Sequence, residues 1–451
     1  MNQMAASFSA QSYSPSFPDR QNRRGALGAR ERKIEVGRIS KSTLARGSGS
    51  KLRKTSHRSR KEEDERLWIS SSLDLSNHKD RFVIVSYNIL ADDNVSKHGE
   101  LYEGMDPKVL DWTTRKRKLC KELRRYNPSI LCLQEVDKFE DLTVRLRKDG
   151  FTGIYKGRTG EACDGCAIFW KEKQFALLQQ EHLEYQKFGM RHNVAQLCVL
   201  KMHPKRRQSS SLAKLSSPIE EIKCGRTVII CNIHVLFNPN RGDIKLGQMR
   251  LLLEKAQLLS QEWNNAPVVI AGDFNSMPKS AIYQFLSCSE LDVLLYNRRE
   301  LSLQNKYPES PTVNSHFENR QRYPFSISST KYAWSKQEIL LAVGRKSGTN
   351  LQHSLNLSSV YSGIRGKLNT RDHCGEPLAT SYHSKFMGTV DYIWHSDELV
   401  PVRVLDTLPV NILKKTGGLP SQKWGSDHLA LVCELAFLND ANSSGNSVSS
   451  Y

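Results

Sequence analysis

From Arg81 onward, short apolar runs alternate with longer amphipathic stretches. Residues 82–90, 129–136, 165–171, 194–202, 227–236, 267–272, 390–395 and 429–435 are β-branched or apolar runs of strand length. The stretch 115–126 predicts a basic amphipathic helix. A longer helix is predicted over 243–263, where Ile244, Leu246, Met249, Leu252 and Leu253 recur near the 3.6-residue period. Strand and helix signals in alternation predict an α/β domain. Runs that are apolar throughout, rather than on every second position, predict sheets covered on both faces.

Two stretches break this rhythm. Residues 205–221 read as a Ser- and Lys-rich loop. Residues 297–356 are polar and predict a surface insertion with some helix at 336–343. Residues 1–66 are Ser, Arg, Lys and Gly with few apolar anchors, and 439–451 are rich in Ser and Asn. Neither end can bury enough surface to offset its ordering entropy, so both are expected to be disordered. The folded domain is expected over 78–438.

Composition adds a bias toward polyanions. The 451 residues carry 66 basic and 47 acidic side chains, a formal charge of +19. Such a balance favours polyanionic partners such as nucleic acid or an anionic membrane surface, although much of the excess lies before Trp68. The Ser- and Arg-rich first 30 residues, with Asp19 their only acid, also suit an organellar transit peptide. No apolar run reaches the roughly 18 residues that span a bilayer, so no membrane partner is expected. Ten scattered cysteines suggest a reducing compartment. Cys163 and Cys166 have C-x-x-C spacing, but no second pair follows at zinc-ribbon distance, and an incidental reading is preferred.

The most informative feature is a set of polar residues at the ends of the apolar runs. Asn88 and Glu135 close two of them, Asn232 and His234 interrupt a third, and Asp273 and Asn275 follow a fourth. Asp391 opens another, and Asp427 and His428 precede the last. Taken singly, an Asp after a strand is usually a turn residue, and a buried His is usually a hydrogen-bonded core residue. Together they are charges beside apolar runs, which is costly unless they are paired or bind metal. α/β folds also place their chemistry at strand ends. Oxygen ligands without Cys favour Mg²⁺ or Mn²⁺ over zinc, and an Asp–His pair can orient a base or stabilise developing charge.

Six segments in order then carry a resemblance: Ser86-Tyr87-Asn88-Ile89-Leu90, Leu133-Gln134-Glu135-Val136, Asn232-Ile233-His234, Gly272-Asp273-Phe274-Asn275-Ser276, Asp391-Tyr392-Ile393 and Ser426-Asp427-His428. From about Arg81 to Phe437 the chain resembles the endonuclease/exonuclease/phosphatase superfamily. Within it, the chain looks like the carbon-catabolite-repressor-type deadenylases, their plant homologues above all, alongside nocturnin and angel proteins. The resemblance implies a DNase I-like four-layer α/β sandwich of two packed mixed sheets flanked by helices. It implies Glu135 as the main Mg²⁺ ligand, with Asn88 beside it and Asp427 completing a metal or base site. Asp273 and Asn275 would contact the scissile phosphate and the attacking water. His428, held by Asp391, would stabilise the pentacovalent phosphate, and His234 would touch the phosphate. Asn232 would be substrate-binding. Pro239, in His234-Val235-Leu236-Phe237-Asn238-Pro239, and Phe386, shortly before Asp391, would sandwich an adenine. Thr380-Ser381-Tyr382, Gly425 and Ser129 depart from the family pattern.

The implied activity is 3′-to-5′ shortening of the poly(A) tail of messenger RNA, releasing AMP, in cytoplasm and nucleus. The implied partners are single-stranded RNA and, through kinship, a complex with a second deadenylase subunit. The leucine-rich repeat by which some members dock does not precede this domain. The alternatives are the same fold acting on cyclic-phosphate or 2′-phosphate ends or on nucleotides, and a non-catalytic RNA-binding scaffold.

Overall fold

A computed structural model of the chain describes residues 65–204, 225–306 and 334–438. The strands in chain order are β1 (Trp68–Ser70), β2 (Arg81–Asn88), β3 (Ile130–Gln134), β4 (Phe151–Gly157), β5 (Gly165–Lys171), β6 (Phe175–Glu184), β7 (Val194–Met202), β8 (Thr227–His234), β9 (Val268–Asp273), β10 (Glu290–Asp292), β11 (Asn350–Gln352), β12 (Leu357–Ser359), β13 (Ser381–His383), β14 (Phe386–Gly388), β15 (Asp391–Ser396), β16 (Leu399–Leu405) and β17 (Leu431–Phe437). The α-helices are α1 (Asp92–Lys97), α2 (Pro107–Leu110), α3 (Trp112–Tyr126), α4 (Phe139–Arg147), α5 (Gly242–Glu262), α6 (Ala281–Cys288), α7 (Lys336–Val343) and α8 (Val410–Lys415).

Two mixed sheets form the centre. One runs β1-β16-β17-β2-β3-β5-β4 and the other β12-β15-β9-β8-β7-β6. Each contains one parallel pair, β2 with β3 and β8 with β9, among antiparallel neighbours. Strand side chains alternate between faces, and the apolar clusters follow that alternation. Phe82, Ile84, Ile130, Cys132, Val228, Ile230, Val269, Ala271 and Ile393 pack between the sheets. Val85, Leu131 and Leu133 face outward onto Leu119 and Leu123 of α3 and Leu142 and Leu146 of α4. Ile229, Cys231, Ile233, Val268 and Ile270 face α5, α6 and α7. The result is the expected four-layer α/β/β/α sandwich, with both faces of each sheet covered.

Local chemistry sets the helix ends. Asp111 caps α3 by accepting from Thr114 N at 2.8 Å, and Asn127 ends it in the left-handed conformation. Ser335 and Glu338 form a reciprocal capping box at the start of α7.

Three departures from the sequence reading stand out. β4, β6 and β16 were not anticipated. β4 and β6 are edge strands whose residues are mostly half-buried, and β16 carries Pro401 at a register shift, so none shows a continuous apolar run. The domain also starts before residue 78: β1 pairs with β16, and the Arg66 side chain is 2% exposed against Glu122. Arg66 bonds Ala430 O at 2.6 Å and Asp406 O at 2.8 Å. The described ends of the 297–356 stretch are not surface decoration. Leu301, Ala342, Val343, Leu351 and Leu355 lie in the core against α5 and α6. The helix expected at 336–343 is α7. Residues 1–64, the 205–221 loop, the middle of that insertion and the 439–451 tail lie outside the described residues.

Among the described residues no helix is long and apolar enough to cross a membrane. Cys163 is exposed and Cys166 buried, and both are free thiols.

One polar contact in the second sheet's outer layer titrates near neutrality. The buried Glu376 carboxyl accepts from Tyr283 OH of α6 at 2.8 Å, and burial pushes it from 4.5 to about 7. A carboxyl whose folded value is raised contributes stability that is complete below its unfolded value and lost as pH rises through the folded one. Thermal melts should therefore fall between about pH 4.5 and 7, and Glu376→Gln should flatten that slope; an identical pH profile for the variant would refute the assignment.

Candidate active site

The alternation that builds the inter-sheet core also selects the site. On β2, Phe82 and Ile84 point between the sheets, so Ser86 and Asn88 share that face. On β8 the same face carries Asn232 and His234, on β9 Asp273, and on β15 Asp391. The parallel pairs β2/β3 and β8/β9 end at one edge. β15 runs antiparallel to β9 with Asp391 opposite Asp273, so its first residue reaches that edge too. β17 is antiparallel to β2, and His428 precedes it by three residues. Six strands thus deliver polar residues to the rim of one cleft.

Asp273 Oδ2 is the hub. Asn88 Nδ2 donates to it at 3.1 Å and to Glu135 Oε1 at 2.9 Å, bridging the two carboxylates. His234 Nε2 and His428 Nε2 lie 3.6 and 3.8 Å from the same oxygen. His428 Nδ1 contacts Asp391 Oδ2 at 2.8 Å. Glu135 Oε2 accepts from Asn94 Nδ2 at 2.7 Å and Ala91 N at 3.0 Å. Asp427 accepts from Tyr102 OH at 2.9 Å. Glu135, Asn275 and Leu90 have positive φ, 55°, 46° and 60°, a conformation that costs non-glycine residues energy and recurs at functional sites. Gly272 is required for another reason: a Cβ there would lie 2.0 Å from Ile233 O.

Burial and charge compete at each group. Burial pushes Glu135 up, but His234 and the hydrogen bonds from Asn88, Asn94 and Ala91 outweigh it and hold the carboxyl below its usual value. For Asp273, burial and repulsion from Asp391 prevail over His234 and His428, and the carboxyl is raised. Burial would lower His428, yet Asp391, Asp427 and Asp273 raise it well above the ordinary imidazole range. These carboxylates favour the protonated form of His428.

Of the residues singled out in the sequence, Asn88, Glu135, His234, Asp273, Asp391 and His428 converge directly. Asp427 stands beside them, its charge acting on His428 and its carboxylate held by Tyr102. Asn275 is adjacent, its amide donating to Val235 O at 3.0 Å and accepting from Gln304 at 3.3 Å. Pro239 and Phe386 are half-buried, on the loop after β8 and on β14. Asn232 is a correction. It lies one layer below the rim, fully buried, accepting from Gln134 Nε2 at 2.7 Å and donating to Leu133 O and Ala167 O. It ties the two sheets together and is not open to substrate.

Several supporting groups escaped the sequence reading. Arg115, fully buried, donates to Ile89 O at 3.0 Å and Leu90 O at 2.8 Å. Lys245, also fully buried, donates to Asn275 O at 2.5 Å and Gln304 Oε1 at 2.6 Å, and burial lowers it to about 7. A lysine between Ile244 and Leu246 on an apolar helix was the available signal. The departures from family pattern are also accommodated. Thr380 Oγ1 accepts from Val390 N and Asp391 N at 3.0 and 3.2 Å. Ser129 accepts from Val83 N. A Cβ at Gly425 would lie 2.8 Å from Arg115 O, so α3 packs too closely for a larger residue.

The donor set fits a hard divalent cation. The Asp273 and Asp391 carboxylates present oxygen atoms within 4.8 Å of one another. Glu135 is held ionised, and Asp391 Oδ1 is buried with no hydrogen-bond partner among the described residues. Buried anions at this density are stable only when opposed by cations.

A four-layer sandwich with paired carboxylates and an Asp–His couple at the mouth of its inter-sheet cleft defines a metal-dependent hydrolase. The comparisons specify which. The chain belongs to the Endonuclease/Exonuclease/phosphatase family, whose model matches residues 85–428. It is 52% identical over 419 residues to carbon catabolite repressor protein 4 homolog 5 of Arabidopsis thaliana, covering 92% of this chain and 88% of that one. To homolog 3 of the same plant it is 48% identical, covering 83% and 80%. A solved structure of ANGEL2, described as a 2′,3′-cyclic phosphatase in complex with adenosine-2′,3′-vanadate, superposes with TM-score 0.63 at 29% identity, covering 83% of this chain and 99% of that one.

Lys245→Met should lower kcat by about 10–100-fold with little change in KM, the range seen when groups behind a metal site are removed. Steady-state kinetics beside a thermal melt tests this; full turnover per folded molecule would reduce Lys245 to a packing role.

Proposed function

We propose that the protein is a Mg²⁺-dependent 3′-to-5′ exoribonuclease that shortens poly(A) tails and releases AMP. The observation that carries this reading is the convergence of Glu135, Asp273 and the His428–Asp391 pair on one buried cradle. Glu135 and Asp273, bridged by Asn88, are the residues that would hold the ion, with Asp427 near by. Mg²⁺, when bound, polarises a phosphoryl oxygen and lowers the pKa of its water. The rest is the work of the chain's own groups. His428 in its protonated form, fixed by Asp391, stabilises charge that develops on the phosphoryl oxygens. His234 touches the phosphate from the β8 side. Asn275 keeps one amide hydrogen for the phosphate while the other bonds Val235 O. Pro239 and Phe386 supply apolar faces for a base, and stacking is worth roughly 1–3 kcal/mol per base. The kinship with the carbon catabolite repressor homologues supports an RNA substrate.

A second reading has its own support. The ANGEL2 structure shares this fold at 29% identity, and the same cradle suits hydrolysis of a 2′,3′-cyclic phosphate at an RNA end.

One assay separates them. Purified protein with Mg²⁺ is given 5′-labelled A₂₀ bearing a 3′-hydroxyl, the same RNA ending in a 2′,3′-cyclic phosphate, and a mixed-sequence RNA. The exonuclease reading predicts a shrinking ladder confined to A₂₀ and abolished by EDTA. Asp391→Asn should slow it by about 100-fold or more, because the His loses its orienting carboxylate. Opening of the cyclic phosphate with no shortening of A₂₀ would replace the first reading with the second.

A further inference from the structure

We infer that a cavity on the α5–α7 flank of the site binds backbone phosphates of single-stranded RNA, upstream of the nucleotide being removed. The inference rests on the RNA reading above and extends it. The cavity encloses about 570 Å³, and Asn240, Arg241, Arg298, Arg299, Gln337 and Glu338 are among its lining residues. That volume lies in the ordinary range of ligand sites.

Three arginines face one carboxylate in this lining. Arg241 is held by Asp243 through Nε and Nη2, at 3.0 and 2.8 Å. Arg298 Nε is 2.9 Å from Glu338. The Asp243 pair fixes the Arg241 guanidinium by part of its fork, whereas Arg298 Nε lies beside Glu338 without hydrogen-bond geometry, and a guanidinium has five N–H donors in all. The remaining donors are pre-oriented, which suits phosphate better than a flexible ammonium would. The Arg241 and Arg298 side chains are 29% and 17% exposed, so a ligand can reach them. Arg241 is also the N-cap of α5, a 21-residue helix, whose positive end adds to the field.

A chain of hydrogen bonds ties the cavity wall to the site through two adjacent residues. Asn305 Nδ2 donates to Asn240 Oδ1 at 3.0 Å. Its neighbour Gln304 donates to Asn275 Oδ1 at 3.3 Å and accepts from Lys245. Asn240 follows Pro239, the proposed base platform. A strand with its 3′ end in the cleft and a base on Pro239 therefore passes this wall. Among the described residues the lining carries no aromatic ring and one apolar residue, Leu341. The donors that dominate this lining are guanidinium N–H groups, so the contacts assigned to it are to backbone phosphates and independent of sequence.

The test measures binding in EDTA, where cleavage is silent, using fluorescein-labelled A₂₀ and A₄. Gln337 is exposed on α7, and Gln337→Glu adds a negative charge without breaking an existing pair. It should weaken A₂₀ binding by about five- to tenfold and A₄ by less than about twofold. The salt slope should fall by about 0.7 for each phosphate that is no longer neutralised. The double variant Arg298→Gln/Arg299→Gln should act in the same direction; because Arg298 also pairs with Glu338, its melt is checked first. Unchanged A₂₀ affinity in Gln337→Glu, or an equal loss for A₄, overturns the inference. A parent protein that binds A₂₀ in EDTA but fails to shorten it in Mg²⁺ sinks the poly(A) reading alone, and Gln337→Glu still decides the cavity. A parent that does not bind A₂₀ overturns both.

Discussion

The two-residue period of a β-strand, applied to two sheets stacked face to face, is the constraint on which this molecule depends. Every second residue of β2, β3, β8, β9 and β15 must enter the space between the sheets. Deep in that space the residues are Phe82, Ile84, Ile130, Val228, Ile230 and Ile393. One layer higher they are Ser86, Gln134 and Asn232, which bond one another across the gap. At the rim they are Asn88, His234, Asp273 and Asp391. A one-residue slip of any strand would turn its rim residue outward into a helical layer. The register that buries the core therefore also aims the chemistry.

The rim is costly by the same geometry. Placing carboxylates at the mouth of a desolvated cleft raises their energy, and the fold answers with counter-charges and amides rather than exposure. Asn88 bridges Glu135 and Asp273, and three carboxylates favour the protonated form of His428. Asp273 stays raised because burial and its neighbour Asp391 together exceed what two histidines return. The arrangement is charge-frustrated as it stands, and a divalent cation is the species that would relieve it. The same buried repulsion makes this a site for polyanionic phosphate chemistry rather than for packing.

What the sequence made legible follows from this layering. The α/β class and the central strands were readable because doubly covered strands are apolar throughout. The rim residues stood out because each interrupted or ended such a run. Edge strands β4 and β6 were invisible because half-buried strands mix polar residues or glycine with apolar ones, Thr, Lys and two Gly in β4 and Gln, Glu and His in β6. Asn232 was misread for a related reason. Sequence gives the face on which a residue lies but not its depth, and one layer separates an inter-sheet tie from a substrate contact. Arg66, Arg115 and Lys245 were missed because a basic residue ordinarily marks a solvated face, and only the tertiary fold shows their partners.

Arg115 and Lys245 show how the outer layers take part. Arg115, on α3 outside the first sheet, donates to Ile89 O and Leu90 O in the loop after β2. Lys245, on α5 outside the second sheet, donates to Asn275 O in the turn after β9. Leu90 and Asn275 are both in the strained left-handed conformation. Each outer layer thus sends a buried donor to the carbonyl of a strained rim residue, and neither bond could form in an isolated sheet. The two donors differ in one respect. A guanidinium keeps its proton in any protein environment, whereas burial brings the Lys245 amine to about 7. A neutral amine still has two N–H donors, and two acceptors face it, Asn275 O and Gln304 Oε1. The clamp on the β9 turn is therefore a hydrogen-bonding device that survives loss of charge. Through Gln304 it fastens the described start of the 297–356 stretch to the catalytic turn, which makes that insertion part of the site's foundation.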